Sequence, residues 1–159
     1  NKTELVQATT MTMSDMITCG IDHIIAQEQN PIEELYEIKK FVMVHLKDEK
    51  SSPLYQLQKY YPKIHAELKE IQFECTHRCV AENLKRGMEL GIYRDNLNVE
   101  FVSRIYFSGV MSIKDNAIFP TEIFSKAHLL DYYLEYHLRG IVTPKGRKIL
   151  NSIINSNQE

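Results

Sequence analysis

The sequence predicts an all-α protein: one antiparallel bundle of about six to seven helices occupying residues 1–159. Three observations lead there. Apolar residues recur at spacings of three and four along nearly the whole chain, the period of helices, and no stretch shows the strict alternation of a half-buried strand. Six glycines and five prolines are few for 159 residues, and most fall between the periodic segments. A composition of 43% hydrophobic and 25% charged residues is that of an ordinary globular chain, long enough to bury a core without disulfide staples.

Residues 2–29 read as a long first helix, with Thr3 available as its cap. Leu5, Thr9, Thr12, Met16, Cys19 and His23 share one face; Val6, Met13, Ile17, Ile21 and Ile24 share a neighbouring one. The first face is punctuated by small polar groups where a plain core stripe would carry Leu and Ile. The three methionines of this helix suit irregular, adaptable contacts. Asn30-Pro31-Ile32-Glu33 then signals a helix start, with Asn30 as cap and Pro31 at the first helical position. That second helix runs to about Asp48 and turns Leu35, Ile38, Phe41, Val42 and His45 inward. A charged connection, Lys47 to Lys50, precedes a short helix entered through Ser51-Ser52-Pro53 and ending near Tyr60. Pro62 restarts the chain, since a residue before proline is pushed out of the helical region.

Pro62 to about Leu90 is the longest helix, spanning roughly 40 Å at 1.5 Å per residue. Ile64, Leu68, Ile71 and Cys75 form one face, flanked by Gln72 and Cys79, and Ala66, Phe73, Val80 and Leu84 lie opposite. A helix apolar on two sides is sandwiched between layers. Lys85 and Arg86 suit its C-terminal dipole, and Gly87 and Gly91 are candidate C-caps. Asn98 caps a further helix, 98–114, apolar over Val99, Val102, Ile105, Tyr106, Gly109, Val110 and Ile113. Gly109 costs about 1 kcal/mol there against alanine, which suggests close approach of another backbone.

Residues 120–142 are expected to form one continuous helix with two apolar patches. Ile123, Ala127, Leu130, Leu134, His137 and Ile141 make the first, and Leu129, Tyr133 and Tyr136 the second. Asp131, Glu135 and Arg139 fill the remaining sector. Two patches predict burial in two directions, one against the chain's own core and one against a second subunit. The alternative is a central core helix with tyrosines at its rim. Gly140 ends or kinks this helix, and Thr143-Pro144 opens a last one through about Ile154, beyond which the chain should fray.

Four stretches in this order carry a family resemblance. They are Asn1 to Leu5, the Gly87-Met88-Glu89-Leu90-Gly91-Ile92-Tyr93-Arg94-Asp95-Asn96-Leu97 turn, the apolar helix pair 98–114 and 120–142, and Tyr136 to Gly146. The chain resembles the C-terminal ligand-binding and dimerisation domain of TetR-family transcriptional regulators. That resemblance implies a bundle that dimerises through four helices, two from each subunit. The family's N-terminal helix-turn-helix is absent here. The chain opens on Asn1, and a preceding segment is expected to carry it. The formal net charge of −2 agrees, because it leaves no electrostatic footprint for nucleic acid or an anionic membrane.

Chemistry is sparse. Cys75, His77 and Cys79 tempt a metal reading, but His77 projects away from the two thiols and no fourth ligand converges, so no metal and no cofactor are expected. No nucleophile stands at motif spacing from any of the six histidines, and there is no phosphate loop, so no enzyme activity is expected. Three cysteines without framework spacing, no secretory segment and no apolar run of membrane-spanning length point to the reducing cytoplasm. A pocket for a small apolar or amphipathic effector would draw on Thr12, Met16, Cys19, His23, Phe41, His45, Tyr55, Gln72, Cys75, Cys79, Phe107 and Met111. Each of these taken alone is equally an ordinary core residue. The homodimer face would draw on Val102, Ile105, Tyr106, Gly109 and Ile113 with Leu129, Leu130, Tyr133, Leu134 and His137. By the resemblance, the whole protein would be a repressor released from operator DNA by its effector, touching DNA only through the missing domain. A stand-alone helical protein-interaction domain without a small ligand is the alternative.

Overall fold

The computed structural model describes residues 1–46 and 53–157; the side chains of 46 and 53–55 lie outside that set, as do the expected charged connection at 47–50 and the end of the second helix at Asp48. The described residues contain seven helices: α1 (Lys2–Ile25), α2 (Pro31–Leu46), α3 (Pro53–Tyr60), α4 (Pro62–Glu89), α5 (Val99–Ser112), α6 (Lys126–Ile141) and α7 (Pro144–Ser156). No strand occurs among them, only an isolated antiparallel bridge between Tyr93 and Val142. None of the helices is long and apolar enough to cross a membrane. Two compact units emerge: residues 1–28 with 37–75, and residues 29–36 with 76–159.

In the first unit, Asn1 rather than Thr3 caps α1. Asn1 Oδ1 accepts from the Glu4 backbone N–H at 3.0 Å, and the Glu4 carboxylate reaches back to the Asn1 nitrogen at 2.6 Å. This reciprocal pair satisfies two orphan donors, which a single threonine hydroxyl further along cannot do. Leu57 of α3 and Ile64 and Leu68 of α4 form a small core, with Val6, Met11 and Tyr61 against it. The Phe41 ring lies so close over Gly20 that any Cβ there would overlap it.

The second unit holds the larger core. Ile32, Leu35 and Tyr36 from the start of α2 meet Val80 and Leu84 of α4, Ile92 and Tyr93 of the following turn, and Val102 of α5. Leu134, Leu138 and Ile141 of α6, Val142 and Leu150 of α7 complete it. Asn30 caps α2 as expected, its side chain accepting from the Ile32 N–H at 2.9 Å. The end of α4 is a Schellman motif: Ile92 N–H donates to Gly87 O at 2.9 Å and Gly91 N–H to Met88 O at 3.1 Å, with Gly91 at φ +67°.

Three expectations about α5 and α6 need correction. The helix expected from Pro120 begins at Lys126, with Ser125 at its cap position. Asp115 Oδ1 accepts from Ala117 N–H at 2.8 Å and Asn116 Oδ1 from Thr121 N–H at 3.2 Å, side-chain bonds that hold the backbone in turns. The Phe119 and Phe124 rings then meet edge to face at 5.4 Å. Ile123 therefore leaves the α6 stripe and stands 74% exposed. Gly109 is approached by a side chain, not a backbone. The Tyr133 phenol lies over it and donates to the carbonyls of Tyr106 (3.0 Å) and Ile105 (3.2 Å). Gly140 does not end α6 either, because the helix continues to Ile141 and the chain turns extended at Val142.

Candidate functional site

In the first unit the expected pocket residues of α1 face outward. Thr12, Met16, Cys19 and His23 are all exposed, and the Thr12 hydroxyl is spent on Ala8 O at 2.8 Å. Phe41 and His45 are brought together, ring centroids 4.2 Å apart, with His45 Nδ1 2.8 Å from Phe41 O. Gln72 and Cys75 are half-buried, and the Tyr55 side chain lies outside the described residues. In the second unit Cys79 and Phe107 are buried and Met111 is half-buried. His77 is turned to α5, its Nε2 2.8 Å from Glu100 Oε2. Arg104 and His77, both hydrogen-bonded to Glu100, hold its carboxyl below the usual range.

One open groove of the second unit, about 480 Å³, is lined by Met88, Gly91, Tyr93, Arg94, Asp95, Asn96 and Thr143, none of them expected pocket residues. Three of its polar side chains are already committed to the fold. Arg94 donates to Gly140 O at 2.9 Å and Asn96 Oδ1 at 3.3 Å, and the Thr143 hydroxyl donates to Gly91 O at 2.7 Å. This groove is a structural joint between the α4–α5 turn and the end of α6.

The α5–α6 pair offers more. The residues expected at a dimer face divide by exposure. Val102 and Leu134 belong to the core of the second unit, Tyr106 packs against that core, and Leu129 and His137 are buried. Gly109 lies under Tyr133, while Ile113, Leu130 and Tyr133 are half-buried. Burial pushes the Tyr133 hydroxyl up to about 12, with Tyr136 adding to it, so it remains a hydrogen-bond donor at any ordinary pH. Ile105 is half exposed. The same two helices expose further large apolar side chains: Phe101 at 63% and Tyr132 at 62%, both outside the expected patches, and Tyr136 of the second expected patch at 79%. Phe101 and Ile105 are one turn apart on α5, and Tyr132 and Tyr136 one turn apart on α6. The Tyr133 hydroxyl on Ile105 O fixes the two helices side by side at this level. The signal for Phe101 and Tyr132 was present in the four-residue spacing itself. Leu134 and His137 took their place because they are equally apolar in pattern, and periodicity does not say which stripe faces in.

The second unit also holds a buried polar network. Glu34, 2% exposed, accepts from Arg86 Nη2 at 2.6 Å and from Asn83 Nδ2 at 2.8 Å. Asn83 also donates to Pro31 O at 2.8 Å and accepts from the Tyr93 hydroxyl at 2.9 Å. No family model matches the chain, nor does any curated protein or solved structure.

Proposed function

We propose that the chain is the effector-binding and homodimerisation part of a TetR-like transcriptional regulator, a repressor released by a small, largely apolar ligand. The observation that supports this most is the set Phe101, Ile105, Tyr132 and Tyr136, exposed on two adjacent helices whose other faces are packed into the core of the second unit. Large aromatic side chains left in water on an ordered scaffold are the composition of an interface centre. A two-fold axis through this face would bring α5 and α6 of two copies into a four-helix bundle. In this reading the chain performs no catalysis, and DNA is contacted by a separate domain. The effector acts only by preferring one arrangement of the dimer, since equal affinity for both would shift nothing.

The test is sedimentation equilibrium of the chain and of Phe101→Glu with Tyr136→Glu. Both side chains are mostly exposed, so the variant should keep its helical circular dichroism while dimer affinity falls by at least about 100-fold, the loss of two interface anchors. Leu134→Glu is the wrong probe, because Leu134 is 1% exposed and a buried charge would unfold the unit. A wild-type chain that stays monomeric at 100-micromolar concentrations, on the order of ten times a weak dimer constant, would sink the dimer reading. Extra mass on the native dimer, lost on denaturation, is the expected sign of the effector.

A further inference from the structure

His137 is the one buried titratable side chain of the α5–α6 joint that the pairing does not use. It is 9% exposed on α6. The Tyr106 ring of α5 meets it edge-on at 4.8 Å, and the Tyr133 ring of its own helix lies 6.3 Å away. Its Nε2 is buried with no hydrogen-bond partner. A neutral imidazole can leave one nitrogen unpaired at a moderate cost, but an imidazolium there would bury an N–H⁺ with no acceptor.

The surroundings offer the extra proton no counter-charge. Tyr106 and Tyr133 are the titratable groups in contact, and burial raises the pKa of both, so neither ionises. On α5, Glu100 is bound to Arg104 at 2.6 Å and to His77 of α4 at 2.8 Å. On α6, Glu135 is bound to Arg139 at 2.7 Å. No charged group from any element contributes to the shift of His137; burial alone lowers it to about 4.

We propose that His137 makes the α5–α6 joint acid-sensitive: uptake of a proton at the buried Nε2 opens the contact with Tyr106 and brings the ring to water. The sign follows from the direction of the shift. The folded value lies below the unfolded one, so the stabilisation is complete above the unfolded pKa near 6.5 and is lost as pH falls from there toward 4. This opening does not depend on the dimer proposed above, although Phe101, Ile105, Tyr132 and Tyr136 ride on the same two helices.

Urea unfolding of the wild type and of His137→Phe, at pH 7.5 and at pH 5, tests it. The phenyl ring keeps the contact with Tyr106 and removes the nitrogen. Between the two pH values the folding constant of the wild type should fall about 30-fold more than that of the variant, the linkage expected for a group shifted from 6.5 to about 4. Parallel pH dependences would overturn the proposal. A second readout needs no variant: the His137 ring resonance of the folded wild-type chain should not titrate between pH 8 and about pH 5. Ordinary titration near pH 6.5 in the folded chain would overturn the proposal whatever the oligomeric state, while a monomer with a silent His137 would sink the pairing and leave this inference standing.

Discussion

Replacing Arg86 with methionine should cost about 3–5 kcal/mol of folding stability, and adding Glu34→Gln should return most of it. The Glu34 carboxylate is 2% exposed, so once the guanidinium is gone water does not reach it. What remains is one hydrogen bond from Asn83, at 2.8 Å, to a full negative charge in the interior. Its place in the first turn of α2 contributes a little, because the N-terminal dipole favours an anion, but that effect is roughly 1 kcal/mol and does not replace a cation. A neutral glutamine at 34 can still accept from Asn83 and no longer needs Arg86. The two substitutions are therefore strongly coupled. Urea denaturation of the four proteins in a double-mutant cycle measures this; a coupling under about 1 kcal/mol would mean that the buried pair is not what fastens α2 to α4 in the second unit. Tyr93→Phe is the milder companion. It leaves Asn83 Oδ1 without its donor at 2.9 Å and should cost about 1–2 kcal/mol.

This network was invisible in the sequence, while the helices around it were not. Pro31, Pro53, Pro62 and Pro144 each open a helix in the structure, as proline at the first helical position should, because the missing N–H is one the helix leaves unpaired there. Pro120 reads the same way and does not open one. Asp115 and Asn116 bind nearby backbone N–H groups, and that competition is a matter of side-chain direction rather than residue spacing. Neither Glu34 nor Asn83 carried any signal in the sequence. Their partnership joins positions 49 residues apart, and nothing local announces it. On α1, the polar punctuation of the face with Thr12, Met16, Cys19 and His23 suggested a pocket, yet the same pattern suits a side turned to water, where the structure has it. Periodicity identifies faces; the choice between core, cavity and solvent belongs to contacts between elements.

Four alanine substitutions at glycines should rank in an order that composition and helix propensity alone would not give. Gly146→Ala and Gly87→Ala should each destabilise by about 3 kcal/mol, at the upper end of what overpacking costs. A Cβ on Gly146 would meet the carbonyl oxygen of Ile92. That oxygen is held in place by Thr143, whose N–H donates to it at 2.9 Å and whose hydroxyl does so at 3.1 Å, so backbone on both sides must move. A Cβ on Gly87 would meet the ring of Tyr93, which is 1% exposed and tied by its hydroxyl to Asn83, so it has no free rotamer to retreat to. Gly91→Ala meets no atom within 4 Å; its φ of +67° alone should cost about 1–2 kcal/mol. Gly140→Ala meets nothing either, in an exposed stretch of α6 with ordinary backbone, and should stabilise by about 0.5–1 kcal/mol by restricting the unfolded chain. Thermal melts separate these outcomes, since each kcal/mol moves the midpoint by about 2–4 °C in a chain of this size. If Gly146→Ala melted with Gly140→Ala, α7 would not be seated on the α4–α5 turn, and the packing that carries α6 and its exposed tyrosines would have to be rebuilt. If only Gly87→Ala escaped its cost, the Tyr93 ring would be free to move, and the buried network would be held by Glu34 and Arg86 without it.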